Sequence, residues 1–179
     1  SILIPVNLAN VATVIRNAAS MEMTGIELEL MYQVTEAWDL MVTYGYLEAE
    51  YKDYLADLTG DGVITDNSGL IPRNTPENTF GFTTSYTAQL GNGELKGRVS
   101  YRFRDEMNTD SSNNPFGDLD SIENVNATLS YSVDNYSITL WGRNLTDERE
   151  QRWATIGGLT SRGWWNEPST VGVTFNVSY

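Results

Sequence analysis

The residues whose types and spacing best suit chemistry lie in the stretch ADLTGDGVITDNSG, residues 56–69. Asp57, Thr59 and Asp61 supply hard oxygen atoms at alternate positions, and a glycine follows where a sharp turn is needed, as in the first half of a calcium-binding loop. The twelfth position lacks the usual bidentate glutamate, and Asp and Gly are also ordinary turn residues. A plain acidic loop is therefore favoured over a calcium site, and no other cofactor is predicted.

A second group combines tryptophan with arginine in the segment 146–167. Its members are Arg149, Arg152, Trp153, Arg162, Trp164 and Trp165. Both types are enriched at binding surfaces, because tryptophan and arginine offer large contact areas that are partly polar. A binding loop is one interpretation. Tryptophans that anchor the loop or lie at a membrane interface are an equally good one.

The composition excludes several kinds of chemistry. The chain has no histidine and no cysteine, so it lacks the commonest general base, the commonest zinc ligand and any disulfide. An enzyme is therefore not predicted, and no residue is proposed as catalytic. The formal net charge of -13 argues against nucleic acid as a partner, because binding to phosphates requires clustered Lys and Arg.

These candidate residues would be positioned by β-strands, because apolar residues recur at every second position in seven segments. In the last segment one face carries Val171, Val173, Phe175 and Val177. The other apolar rows begin at Ile26, Trp38, Phe80, Val99, Ala127 and Tyr136. No run approaches the roughly 18 apolar residues of a membrane-spanning helix. The pattern predicts an all-β chain.

The spacers between these strands alternate in length. Short turns are predicted near residues 33–37, 91–93 and 134–135, and long polar loops near residues 52–75, 107–120 and 146–167. With a weaker strand near residues 11–17, the pattern predicts an antiparallel up-and-down meander of about eight strands, part of a transmembrane β-barrel. Long strands with short turns at one end and long loops at the other are typical of outer-membrane barrels.

Tyrosines cluster toward the ends of the predicted strands. They are Tyr44, Tyr46, Tyr51, Tyr86, Tyr131, Tyr136 and Tyr179. Rings with one apolar and one polar side suit a membrane interface, although tyrosine is also a good strand former in any sheet. An aromatic girdle is the favoured interpretation.

Charged residues alternate with the apolar rows and would face the lumen of a barrel. They are Glu27, Glu29, Arg98, Arg102 and Arg104. The arginines could meet an anionic ligand such as a ferric chelate, or they could balance the two glutamates. The second interpretation is favoured.

Four stretches resemble the C-terminal half of the TonB-dependent receptor barrel. They are NAASMEMTGIELEL at residues 17–30, IPRNTPENTFGFTTSY at 71–86, SYSVDNYSITLWGRNLTDERE at 130–150 and PSTVGVTFNVSY at 168–179. The third contains the most recognisable element, a strand that ends in Asn-Leu-Thr-Asp at residues 144–147. The resemblance covers nearly the whole chain.

The resemblance implies a multi-pass β-barrel in the bacterial outer membrane that takes up a scarce ligand, such as a ferric siderophore, cobalamin or a saccharide. The implied partners are outer-membrane lipid, the small-molecule ligand, the barrel assembly machinery and an inner-membrane energy-coupling protein that acts through a plug domain. The outer-loop tryptophans and arginines would help to capture the ligand. Gly172, Phe175 and Tyr179 would belong to the assembly signal of the terminal strand.

The chain departs from the resembled family in extent. No stretch matches the plug domain or the energy-coupling TonB box, and about eight strands stand where the family's barrel has 22. Residues 1–179 are therefore expected to form a C-terminal segment of such a barrel. The alternative is a small self-closed barrel or β-sandwich that acts as a structural or binding module, with or without calcium.

Overall fold

The alternating segments form β-strands throughout the computed structural model. It describes the backbone of residues 2–6, 12–16, 19–149, 151–157 and 160–178, and the side chains of this set other than residues 2–6, 12–16, 152–157 and 160–162. In chain order the described strands are β1 (Ile2–Val6), β2 (Ala12–Arg16), β3 (Ala19–Thr35), β4 (Trp38–Ala56), β5 (Thr65–Asp66), β6 (Asn78–Leu90), β7 (Gly93–Arg104), β8 (Met107–Asn108), β9 (Asp118–Leu119), β10 (Ile122–Val133), β11 (Tyr136–Arg143), β12 (Gln151–Gly157), β13 (Thr160–Trp165) and β14 (Thr170–Val177). A short 3-10 helix at Pro115–Gly117 precedes β9. Nowhere in the described part of the chain is a helix long and apolar enough to cross a membrane.

Eight strands form one antiparallel sheet in the order β14-β11-β10-β7-β6-β4-β3, with the two-residue β5 paired to the end of β4. Two-residue turns at 36–37, 91–92 and 134–135 join neighbouring long strands at one end of this sheet. The connections at the other end are long. This confirms the predicted all-β antiparallel meander and its alternation of short turns and long loops.

The predicted strand near residues 11–17 is the one member of the meander that lies elsewhere. It forms β2, which pairs with β1 in a separate two-stranded sheet. With five residues, β2 is shorter than the long strands of the main sheet, and its backbone pairs with the preceding strand β1. The eighth strand of the main sheet is therefore β5, which the sequence pattern does not reveal.

The register places the apolar rows of neighbouring strands side by side. One row crosses five strands through Leu30, Val42, Phe82, Tyr101 and Val125. Many members of this apolar face are exposed, and Val171 retains 73% of its accessible surface. The sheet therefore presents a continuous apolar surface that the chain itself does not cover. The neighbouring residue of each strand points to the opposite, polar face, because side chains alternate along a strand.

The buried core of the described residues lies at the long-loop end, in the last residues of β4 and the long connections, and not in the middle of the sheet. Tyr54 is 0% exposed, and Pro72 and Leu119 are buried with it. The loop predicted to begin at residue 52 begins later, because β4 continues to Ala56 through pairing with β3 and β5. Backbone pairing across three strands thus overrides the polar composition of this segment.

Two long connections are hydrogen-bonded to each other above the sheet. The side chain of Asn113 accepts from the Ile71 N–H at 2.7 Å and donates to the Ile71 carbonyl at 2.8 Å. The Asn74 N–H donates to the Asn108 carbonyl at 2.8 Å. The segments 57–77 and 105–121 therefore form one structured platform at the long-loop end.

Candidate functional site

The five charged residues predicted to face a lumen share the polar face of the sheet. The register puts Glu29 and Arg102 in one row, with Thr43 and Gly81 between them. Three strand spacings separate the backbones of these two residues by about 14 Å. Among the described side chains no ion pair joins Arg98, Arg102 or Arg104 to Glu27 or Glu29. Their roles remain predictions.

A groove of about 810 Å³ runs along the polar face beneath the third long loop. Its charged and amide lining consists of Arg98, Arg102, Arg104, Arg143, Asn124, Asn126, Asn144, Asn166 and Glu167. The guanidinium of Arg104 donates to the carbonyls of Asp105 and Asp120 at 2.6 and 3.2 Å. That of Arg143 lies 5.2 Å from the centre of the Trp141 ring, within the range of a cation–π contact.

The Asn-Leu-Thr-Asp segment forms a tight turn at the end of β11 on the rim of this groove. The Asp147 N–H donates to the Asn144 carbonyl at 2.9 Å, and both residues have positive φ, 52° and 49°. Asn tolerates this left-handed conformation better than most residues do. The turn directs the chain out of the sheet toward the β12–β13 hairpin.

The hairpin β12–β13 carries the predicted tryptophan and arginine group. Its register places Trp153 opposite Trp164, and Thr155 opposite Arg162. Trp164 and Trp165 are exposed, at 67% and 64%. The exposed Arg149 lies 3.9 Å from a carboxylate oxygen of Asp147. The side chains of Arg152, Trp153 and Arg162 lie outside the described residues.

The candidate calcium residues lie in the first long loop, where Asp57 organises the turn. Its Oδ1 accepts from the Gly60 N–H at 2.6 Å and from the N–H and hydroxyl of Thr59 at 3.2 Å each. Its Oδ2 accepts from the Gly62 N–H at 2.7 Å, and Asp61 accepts from the Val63 N–H at 2.8 Å. The bond from Gly62 is the largest cause that lowers the pKa of Asp57.

These hydrogen bonds explain the Asp and Gly content of the loop without a metal. Gly62 has φ +88°, a conformation that L side chains rarely adopt. The hydrogen-bond geometry does not test a calcium role for Asp57, Thr59 and Asp61, and the plain acidic loop stays the favoured prediction.

The residues expected in the assembly signal lie on β14, which pairs with β11. The ring of Phe175 stacks on that of Tyr136 with centroids 6.2 Å apart, on the apolar face. On the opposite face Gly172 lies against the indole of Trp141, whose Nε1 donates to the Thr174 hydroxyl at 3.1 Å. Tyr179 lies outside the described residues.

Residues 3–145 match the sequence family described as "TonB dependent receptor-like, beta-barrel". The chain belongs to the TonB-dependent receptors. Two solved structures share the fold of this receptor chain. One is the ferric yersiniabactin uptake receptor FyuA from Yersinia pestis, with 18% identity and a TM-score of 0.76 over 91% of this chain and 24% of that one. The other is the siderophore receptor PiuA from Acinetobacter baumannii, with 23% identity and a TM-score of 0.73 over 91% of this chain and 22% of that one.

The receptor chain thus spans about a quarter of the length of these solved structures. Family membership confirms the resemblance carried by its sequence motifs, and it places the sheet in the bacterial outer membrane. The exposed apolar face has the character of the apolar band found on the outside of such barrels.

Aromatic residues of the receptor lie on this apolar face in two bands. Trp38 and Tyr136 lie near the short turns, and Tyr46 and Phe80 lie nearer the long loops. Trp38 and Tyr46 are eight residues apart on β4, about 26 Å along the strand and about 20 Å along the membrane normal after tilt. This spacing suits the two interface girdles of an outer-membrane barrel.

Sequence reasoning missed two structural residues of the receptor. Tyr54 lies in a stretch that the sequence predicts as a polar loop, and no pattern in that stretch predicts its burial. Asn144 stands out in the sequence only as part of a family motif, and that motif does not predict its buried side chain. In both cases the decisive contacts come from residues distant in the chain.

Proposed function

We propose that this chain is barrel wall and outer-loop surface of a receptor that takes up a scarce ligand across the outer membrane with energy supplied from the inner membrane. The observation that carries the proposal is the two-faced sheet of a TonB-dependent receptor chain. One face is apolar and exposed, the other is polar and grooved, and long structured loops stand at one end. No catalytic residue is proposed.

The sheet is proposed to be an arc of a larger barrel. Within the described residues β3 and β14 are the two edges of the main sheet and each has one long neighbour. Open strand edges cannot face hydrocarbon, because their unpaired N–H and C=O groups would lose hydration without replacement. Further strands would cover both edges. The alternative of a small self-closed barrel would require β3 to pair with β14.

An anionic ferric chelate is the ligand class that the polar face favours among a siderophore, cobalamin and a saccharide. Arg98 and Arg102 have no carboxylate within ion-pairing distance among the described residues, and the guanidinium of Arg143 lies over the ring of Trp141. A planar guanidinium suits carboxylate, catecholate and phosphate groups. FyuA and PiuA, whose names refer to ferric yersiniabactin and siderophores, support the same class.

The remaining partners follow from the position of each surface. Trp164 and Trp165 on the outer hairpin would make first contact with the ligand. Residues of β14, including Gly172 and Phe175, would be read by the barrel assembly machinery. Coupling to an inner-membrane protein would pass through a plug domain in the lumen.

The test is ligand uptake by the full receptor in cells that lack their other receptors of this family. Radiolabelled ferric siderophores, cobalamin and an oligosaccharide would be supplied separately. Accumulation of a ferric siderophore that stops when the proton-motive force is collapsed is expected. Equal, energy-independent entry of all three probes would contradict the proposal, since it would describe an open pore.

A further inference from the structure

The side chain of Asn144 is buried at the junction between the sheet and the third long loop. It retains 5% of its accessible surface, and every donor and acceptor on it is used. Its Nδ2 donates to the carbonyls of Glu148 and Glu167, at 3.0 and 2.9 Å. These two carbonyls belong to the two stems of the segment that carries β12 and β13. One amide group therefore joins both stems.

Asn144 is also fixed to the sheet, through its side chain and its backbone N–H. Its Oδ1 accepts from Asn124 Nδ2 at 3.1 Å, and its backbone N–H donates to Asn126 Oδ1 at 3.0 Å. Asn124 and Asn126 lie on the polar face of β10 and are hydrogen-bonded to each other at 2.8 Å. Asn144 is thus held from β10 while it holds the hairpin stems.

The three residues that follow Asn144 reinforce this junction. The Leu145 N–H donates to the Val125 carbonyl at 2.8 Å, and the Thr146 hydroxyl donates to the Glu123 carbonyl at 3.0 Å. The carboxylate of Asp147 accepts from the Ser169 N–H at 2.9 Å, one residue before β14 begins. The Asn-Leu-Thr-Asp turn at residues 144–147 therefore connects β10, β11, the start of β14 and the hairpin.

We propose that Asn144 is a positioning residue that fixes the orientation of the outer β12–β13 hairpin, and with it Trp164 and Trp165, relative to the barrel wall. Ligand capture at those tryptophans would depend on it, and this part rests on the proposed uptake function. The physical reason is that, among the described residues, β12 and β13 pair only with each other, so the stems carry their covalent and hydrogen-bonded link to the main sheet, beside contacts of β12 with the 3-10 helix and β9. A buried amide with all its hydrogen bonds formed is a stiff connection, because leaving any of its partners unpaired is costly.

The experiment measures hydrogen exchange by mass spectrometry in the full receptor extracted in detergent. Asn144→Ala removes all five side-chain hydrogen bonds, and we expect about tenfold or greater acceleration of exchange in residues 148–168 with β10 and β11 unchanged at their centres. Asn176→Ala is the matched control, because Asn176 makes one side-chain hydrogen bond, 3.4 Å to Ser137, on the same sheet. Unchanged exchange of the hairpin stems in a folded Asn144→Ala receptor would overturn the proposal.

Asn144→Asp is the second variant, in case the alanine variant fails to assemble. It keeps the acceptor for Asn124 but turns an unprotonated oxygen toward the Glu148 and Glu167 carbonyls. A protonated carboxyl can donate one of the two lost bonds, so the acceleration should shrink at acidic pH after correction for the intrinsic exchange rate. A pH-independent effect would contradict the role of the Nδ2 donor. A failure of the wild-type receptor to take up any probe would refute the uptake function and leave the exchange result standing.

Discussion

The indole of Trp141 lies against Gly172 on the neighbouring strand. A Cβ atom added to Gly172 would come within 2.6 Å of Cε2 of the ring, closer than real Cβ atoms approach. The Trp141 Nε1 hydrogen bond to Thr174 and the Arg143 contact hold the ring in place. An aromatic ring over a strand glycine restores the packing that the glycine lacks. The glycine of the expected assembly signal therefore also has a packing role in the finished sheet.

Gly172→Ala should weaken the attachment of β14 to β11. The methyl group must displace the indole or the strand, at a cost of about 1–3 kcal/mol. This loss of stability would be measured by thermal unfolding in detergent, with the loss of heat-modifiable electrophoretic migration as the readout. Gly69→Ala is the matched control, because nothing lies within 4 Å of a Cβ at Gly69. If packing is the cause, the double variant Gly172→Ala with Trp141→Ala should lose less stability than the sum of the losses in the two single variants.

Leu30→Arg should impair insertion far more than Met31→Arg. The two residues are adjacent, both are apolar and both are exposed, at 53% and 68%, but they lie on opposite faces of β3. An arginine on the lipid face costs about 2–4 kcal/mol at the membrane midplane, whereas one on the lumen face stays hydrated. Outer-membrane levels of the two variants are the measurement. Equal loss of both would mean that the apolar face does not meet lipid.

Tyr54→Ala should release the loop platform without dissolving the sheet. The buried ring contacts Tyr51 with centroids 4.5 Å apart, and its hydroxyl donates to the Ser111 carbonyl at 3.3 Å. Loss of a buried aromatic side chain costs about 3–5 kcal/mol. Limited proteolysis should cut within residues 57–77 and 105–121, while Tyr54→Phe, which loses only the hydroxyl bond, should remain resistant.

The sheet could be predicted from the sequence because its determinants are local. Rows such as Leu28, Leu30 and Tyr32 alternate with Glu27, Glu29 and Met31, and a two-residue turn such as Asp134–Asn135 fixes the register of the strands that it joins. Hence the type and facing residues of the seven long strands follow from period two and their order from the alternating turns and loops, whereas β5 and the separate pairing of β2 do not. The assignment to a receptor of the outer membrane came from motifs at residues 130–150 and 168–179.

The loops could not be predicted in the same way, because their structure depends on contacts between distant segments. The pairing of Asn113 with Ile71 joins residues 42 positions apart, and Tyr54 reaches Ser111 across 57. No periodicity reports such contacts. For the same reason, the spacing of Asp57, Thr59 and Asp61 does not distinguish a calcium-binding loop from a turn that is held by its own hydrogen bonds.

Calcium should produce no binding heat in calorimetry with the full receptor. The Asp57 carboxylate already accepts four hydrogen bonds from its own loop, and a carboxylate offers about four acceptor positions. Asp61→Ala serves as the control titration. A saturable heat in the wild type that disappears in Asp61→Ala would instead establish a calcium site at Asp57, Thr59 and Asp61.

Acid should loosen the first long loop through Asp57. Hydrogen bonds from Gly62, Gly60 and Thr59 lower the pKa of this carboxyl below its ordinary value of about 4. A lowered pKa means that the folded loop binds the proton less well than the unfolded one, so the stabilisation is complete above the unfolded pKa and disappears as the pH falls through the folded one. Hydrogen exchange of residues 57–68, corrected for the intrinsic rate, should therefore rise as the pH falls below about 4.

Asp57→Asn is the variant that isolates this effect. It should loosen the loop at neutral pH, because an amide nitrogen placed toward the Gly62 N–H cannot accept its hydrogen bond, and it should reduce the acid dependence. Asp66 contributes separately, since hydrogen bonds from the Ser68 hydroxyl and N–H also lower its pKa. The double variant with Asp66→Asn is expected to be insensitive to acid between pH values of about 5 and 3. A loop that responds to acid equally in the wild type and in the double variant would assign the response to other groups.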